Sequence, residues 1–215
     1  MNLLFDLDGT LTEPKTGITR CIQYALKRLG QTPPSEAELV PYIGPPLSQT
    51  FASFLGNDDP ARVAQAVTLY RERFAEVGMY ENDIFDGMDE TLASFVDDGH
   101  RLFLATSKPR FFAEKILEHF DLARHFEAIH GAEMDGTRQD KAELIAYVLQ
   151  TEELSAAQTA MIGDRKHDIL GAVANGVTAI GVLWGYGSAE ELAGAGATYL
   201  VTDQAALLHT VRNLY

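Results

Sequence analysis

The chain has 215 residues, a formal net charge of −14, 46% hydrophobic residues and 22% charged ones, the balance of a packed globular protein. Its acidity argues against a nucleic-acid partner, which needs basic patches, but not against a small anion, whose site a bound cation and a few lysines can make locally positive. No apolar run approaches the ~20 residues of a membrane span, the start MNLLFDLDGT lacks the basic opening of a secretion signal, and the sole cysteine, Cys21, rules out an internal disulfide, so a cytoplasmic protein with no membrane partner is expected.

The first expected strand, residues 2–7, runs into Asp6 and Asp8. Positions i and i+2 share one face of a strand, so both carboxylates can converge on one point while Leu7 turns away. Gly9 lets backbone approach a ligand closely, and Thr10 adds a hydroxyl. One carboxylate suits a nucleophile and the other a general acid. The competing reading is an exposed Asp-Gly turn.

Residues 14–80 read as all-helical. Ile18, Ile22, Ala25, Leu26 and Leu29 form one stripe and Val63, Val67, Tyr70 and Phe74 another. Ser35 suits a helix cap, and GPP at 44–46 breaks the backbone. This stretch is too long for a simple crossover and predicts an inserted helical domain with hinges near 12–16 and 79–85. The expected division is a core of residues 1–13 and 82–215 and an insertion of 14–81.

Beyond it, strands are expected at 101–107, 126–132, 159–164, 177–183 and 198–201, alternating with helices near 88–98, 110–119, 139–150, 167–175, 188–194 and 203–213. That rhythm predicts an α/β fold, a doubly wound, mainly parallel sheet covered on both faces, with a Rossmann-like core. LATSKP ends one strand with Thr106 and Ser107, whose hydroxyl and amide groups suit phosphate oxygens, and Pro109 suits the first turn of the next helix. Lys141 opens a helix, where the dipole disfavours it; it is either a charge for phosphate or a solvated lysine. MIGDRKHDILGA ends another strand at Asp164, with Asp168 one turn on, either Mg²⁺ ligands or ordinary acids at a helix start. Arg165 is expected to pair with these acids, and Lys166 and His167 to lie on the surface. WGYG at 184–187 either brings backbone near the site or is a simple turn.

In the order DLDGT, LATSKP, Lys141, GDRKHD, the chain resembles the haloacid dehalogenase superfamily of phosphatases, and YIGPPL and GVLWGYGS resemble its phosphoglycolate phosphatase-like branch. The resemblance implies a phosphomonoester hydrolase acting on a small phosphorylated metabolite, most simply phosphoglycolate, with a nucleoside monophosphate next. A sugar phosphomutase, a dehalogenase, a receiver-like domain and a non-catalytic phosphate-binding protein are the remaining alternatives. It implies Asp6 as nucleophile, Asp8 as acid and base, Lys141 as charge neutraliser, and Gly9, Thr106 and Ser107 with Lys141 as the phosphate cradle. Mg²⁺ is implied on Asp6, the Asp8 carbonyl and Asp164, with Asp168 acting directly or through water. The helical insertion is implied to be a cap that reads the leaving group. Tyr42, Gly44, Pro45 and Pro46 are its candidate readers, or GPP only joins two helices, and Lys15, Arg20 and Arg71 either meet an anionic leaving group or, the commoner fate, lie on solvated faces.

Overall fold

The computed structural model describes residues 1–56 and 59–214. The chain divides into two compact units, Met1–Glu13 with Ile84–Tyr215, and Pro14–Asp83. In chain order, β1 (Asn2–Phe5) and the short β2 (Thr12–Glu13) precede four helices, α1 (Lys15–Arg28), α2 (Glu36–Leu39), α3 (Leu47–Leu55) and α4 (Pro60–Glu76). The chain then re-enters the first unit through β3 (Asp83–Ile84) and α5 (Met88–Asp97). From there strands and helices alternate: β4 (Arg101–Pro109), α6 (Arg110–His119), β5 (Ala128–Ala132), α7 (Lys141–Thr151), β6 (Thr159–Gly163), α8 (Lys166–Ala174), β7 (Thr178–Val182), α9 (Ala189–Gly194), β8 (Tyr199–Val201) and α10 (Gln204–Arg212). None of the helices is long and apolar enough to cross a membrane, among the described residues.

The first unit is a six-stranded sheet in the order β5-β4-β1-β6-β7-β8, every pairing parallel. A parallel sheet needs cover on both faces, so its strands read as near-continuous apolar runs; Leu3, Leu4 and Phe5 of β1 are all fully buried. Side chains alternate between faces. Leu4, Phe103, Met161 and Ala179 join Leu144, Ile145 and Val148 of α7, Ile169 and Ala172 of α8 and Leu192 of α9 in one core. Phe5 points the other way, toward Phe95 of α5 with ring centroids 6.1 Å apart, and α10 packs on α5. Each such buried aliphatic or aromatic side chain contributes about 1.5–3 kcal/mol.

In the helical unit, α1 buries Ile18, Cys21, Ile22, Ala25 and Leu26 against α4, so Cys21 is a small core residue. Ser35 caps α2 in a reciprocal box with Glu38, and Gly44, at φ 105°, makes the break before α3. One stripe is shifted from the expected one. The buried face of α4 is Ala66, Leu69, Tyr70 and Phe74, while Val63 and Val67 line an open cleft with Ser48 and Ala52 of α3. Helix α4 packs against both α1 and α3, so its apolar residues serve two flanks, which one 3.6-residue stripe merges.

Candidate active site

Neighbouring strands β1 and β6 send their chains to opposite sides of the sheet, β1 toward β4 and β6 toward β7. Such a switch point leaves a crevice beyond the carboxyl ends of the strands. Asp6 and Asp164 each follow one of these two ends, and the Asp6 N–H still donates to Ile162 O, at 2.9 Å. Past Asp6 the chain folds back on itself: Leu7 O accepts from the N–H groups of Thr10, Leu11 and Thr12, and Gly9 takes φ 83°. The Asp-Gly turn is therefore real, but it lies in the crevice, and Leu7 is fully buried on the far side.

Lys141 is not solvated; it is 4% exposed. Its ammonium lies 3.0 Å from Asp6 Oδ1, 2.7 Å from Asp168 Oδ1 and 2.9 Å from Ala105 O. Burial works against the ammonium, but Asp168 and Asp6 outweigh it and hold the Lys141 pKa above the usual lysine range. The penalty for placing a cation at a helix start is met by those two acids and by Asp140, which caps the helix by accepting from Ala142 and Glu143.

Asp6, Asp164 and Asp168 each present a carboxylate oxygen within 4.8 Å of the others. Asp164 is fully buried; its Oδ2 accepts from the Tyr186 N–H at 2.8 Å, while its Oδ1 has no hydrogen-bond partner among the described residues. Burial first, and then the charges of Asp168 and Asp6, push the Asp164 pKa well up. Asp168 is likewise raised by burial, against the pull of Lys141. An orphaned, buried carboxylate oxygen is costly unless something binds it. Beside two more carboxylates and no soft ligand, it makes a donor set that fits a hard divalent cation such as Mg²⁺. The Asp8 side chain is outside this cluster. Its Oδ1 lies 2.6 Å from Lys108 Nζ, and burial raises its pKa against that lysine's pull.

Strand β4 runs further than expected. After a bulge between Thr106 and Pro109 it still pairs with β5, Pro109 against Ala132. Pro109 therefore stands at the cap position before α6, with ψ 129°, rather than in the first turn. Thr106 is 2% exposed and its Oγ1 accepts from the Lys108 N–H; Ser107 is half-buried beside it. Lys108 was not among the expected site residues. No local rule points to it, because the bulge between Thr106 and Pro109 breaks the two-residue alternation that places Asp6 and Asp8.

Residues 184–187 bring backbone to the site, which decides between the two readings of that loop. Trp184 Nε1 donates to Thr10 O at 3.0 Å, and the Tyr186 hydroxyl pairs with Glu13. The Arg165 guanidinium pairs with Glu191 at 2.9 Å, while its N–H donates to Asp168 Oδ2 and its charge acts to lower the Asp164 pKa. Lys166 and His167 are exposed. In the helical unit, Tyr42 packs on Phe54 with ring centroids 4.7 Å apart, Gly44 is exposed, and Pro45 and Pro46 are half-buried. Arg20 is engaged with Glu36 and Glu81, Lys15 is exposed, and Arg71 is half-buried.

The chain is 53% identical over 206 residues to a 5'-nucleotidase of Pseudomonas aeruginosa, covering 96% of this chain and 93% of the relative. It is 39% identical over 189 residues to the tyrosine-protein kinase PtkA of Mycobacterium tuberculosis, covering 87% of this chain and 64% of the kinase. A phosphoglycolate phosphatase of Vibrio cholerae is 28% identical over 216 residues, with 97% and 96% covered. The crystal structure of a predicted phosphatase from Clostridium acetobutylicum superposes with a TM-score of 0.94 at 39% identity, covering 99% of this chain and 98% of that one. The haloacid dehalogenase-like hydrolase family matches residues 3–182. With that match and the acid–lysine cluster at the switch point, the chain belongs to the haloacid dehalogenase-like hydrolases and is a phosphatase of that family.

Proposed function

We propose that the protein hydrolyses nucleoside monophosphates through an aspartyl-phosphate on Asp6. The chemistry rests on one observation, the meeting of Asp6, Lys141, Asp164 and Asp168 at a single sheet edge. An Asp6 oxygen attacks phosphorus, the bond from phosphorus to the ester oxygen breaks, and Asp8 gives that oxygen its proton. Asp8, now a carboxylate, takes a proton from the water that attacks the phosphoryl group and releases Asp6. Burial, which raises the Asp8 pKa, favours the protonated acid the first step needs. Lys141 neutralises charge beside Asp6, and the Thr106 hydroxyl and Ser107 amide hold phosphoryl oxygens, with Gly9 leaving room for them. Mg²⁺ on Asp6, Asp164, Asp168 and the Asp8 carbonyl supplies charge stabilisation for the phosphoryl group when bound. The leaving-group preference is assigned to the helical unit, the implied cap.

The nucleotide preference is supported by 53% identity across nearly the whole chain to a protein named a 5'-nucleotidase. Phosphoglycolate, the first expectation from the motifs, stands second, supported by a relative at 28%. The test is phosphate release from nucleoside monophosphates, 2-phosphoglycolate, sugar phosphates and a phosphotyrosine peptide, with Mg²⁺ and with a chelator. Nucleoside monophosphates are expected to give the highest kcat/KM and chelation to abolish turnover. Ca²⁺ is expected to inhibit, because its larger, looser coordination misplaces the attacking oxygen. A highest kcat/KM on 2-phosphoglycolate selects the second reading, and full activity after exhaustive chelation removes the metal from the mechanism.

Asp8→Asn separates the acid from the nucleophile. It is expected to slow alkyl phosphate esters by about 10²–10⁴-fold, the usual worth of a positioned proton donor, and aryl phosphates much less, since their leaving groups need little protonation. Equal losses on both classes would show that Asp8 is not the acid.

A further inference from the structure

Building on the proposed cation site, we infer that the 184–187 loop is a positioning device for Asp164, deciding which carboxylate oxygen that residue offers to a bound divalent cation. Three glycines make the approach possible. A Cβ on Gly185 would overlap Asp164 Cβ and Gly9 O, one on Gly187 would overlap Asp164 O, and one on Gly9 would overlap the Asp164 carboxylate. Only backbone without side chains can stand this close. From that position the Tyr186 N–H holds Asp164 Oδ2 at 2.8 Å. The partner of Oδ2 is thus fixed, and Oδ1, buried and without a partner among the described residues, is the oxygen left to bind.

The loop is held at both ends of its reach. Trp184 Nε1 donates to Thr10 O, at 3.0 Å, in the turn that follows Asp6 and Asp8. The Tyr186 hydroxyl donates to Glu13. Both anchors lie on residues 10–13, the continuation of the segment that carries the nucleophile. Asp6 and Asp164 follow the ends of different strands, and the loop ties the turn after Asp6 to the carboxylate of Asp164. Such outer hydrogen bonds orient metal-binding carboxylates, and losing one typically costs 10–100-fold in metal affinity.

The test is direct cation binding by calorimetry, and by Mn²⁺ electron paramagnetic resonance as a readout independent of turnover, on wild type, Gly185→Ala and Tyr186→Phe. Gly185→Ala pushes on Asp164 itself and is expected to weaken binding by at least about 10-fold. It can also unfold the core, so Tyr186→Phe, which keeps the backbone N–H and loses only the Glu13 anchor, decides the question. It is expected to weaken binding by about 3–10-fold and to raise the Mg²⁺ concentration for half-maximal activity equally, with turnover regained as Mg²⁺ is added. Glu13→Gln is expected to give a smaller shift, and its effect to vanish in the Tyr186→Phe background, because the two residues form one contact. A Tyr186→Phe protein that binds the cation like wild type, even with a lower melting temperature, overturns the inference and leaves the proposed function standing. Wild type that takes up no divalent cation overturns the metal reading and the loop's role with it.

Discussion

Asp6→Asn is expected to lower kcat by at least about 10³-fold while leaving the protein folded, because removing a nucleophile abolishes the covalent route. The fold should tolerate the change. Asp6 is one of three carboxylates crowded within 4.8 Å, and its charge raises the pKa of Asp8, Asp164 and Asp168. A neutral amide removes that repulsion, and its oxygen can still accept from Lys141. With a chelator present, the melting temperature of Asp6→Asn should therefore equal or exceed that of wild type. Thermal denaturation and phosphate release on one preparation measure both. A stable variant that turns over normally would exclude Asp6 as the nucleophile, and a collapsed variant would show that its charge is structural.

Lys141→Met carries the second large effect, on activity and stability together. The substitution keeps much of the side-chain volume, which matters because α7 and α8 approach closely at Gly171, where an added Cβ would meet the Lys141 stem at 3.0 Å. It deletes the cation that faces Asp6 and Asp168. Losing one electrostatic stabiliser of a transition state costs about 10²–10³-fold in kcat. Leaving buried carboxylates uncompensated costs about 3–5 kcal/mol at neutral pH. The sign of the pH dependence follows from the shifts. Asp164 and Asp168 have folded pKa values raised above their unfolded values, so the folded state binds more protons, and stability increases as pH falls through the raised values. Without Lys141, whose charge lowers Asp168, the rise is larger. In chelator, the stability deficit of Lys141→Met is expected to shrink between about pH 7 and pH 5, above the unfolded carboxylate value of roughly 4. A deficit that stays constant over that range would mean that the cost is packing rather than charge.

The legible parts of this chain were those set by local periodicity. The strand runs ending in Asp6 and Asp164 were readable because parallel strands, buried on both faces, must be apolar and then stop. Lys141 was readable only as an anomaly, a cation where the helix dipole disfavours one, and nothing local said that Asp168 and Ala105 O would receive it. The contact between Asp8 and Lys108 joins residues 100 positions apart, and the Tyr186–Glu13 contact spans 173. Pairings at that distance depend on strand order, which a periodic pattern does not encode. Pro109 shows the reverse failure: a local rule favouring proline inside the first turn yielded to a ladder that carries β4 past its bulge to Ala132. On α4, Val63 and Val67 share their apolar character with Tyr70 and Phe74 but serve a different flank.

The central position of β1 also governs the timing of synthesis. This strand is paired on both sides, and its two partners begin at Arg101 and Thr159. At ~5–20 residues per second, the second partner leaves the ribosome roughly 8–30 s after the first strand. Pro14–Asp83 is one uninterrupted stretch, so all of its residues are made well before that moment. Through the interval Leu3, Leu4 and Phe5 have no complete sheet to enter, and a nascent chain halted before Thr159 keeps an open strand edge available to other chains. Asp6 precedes Asp164 by 158 residues, so the two carboxylates meet only after that whole intervening length has been made.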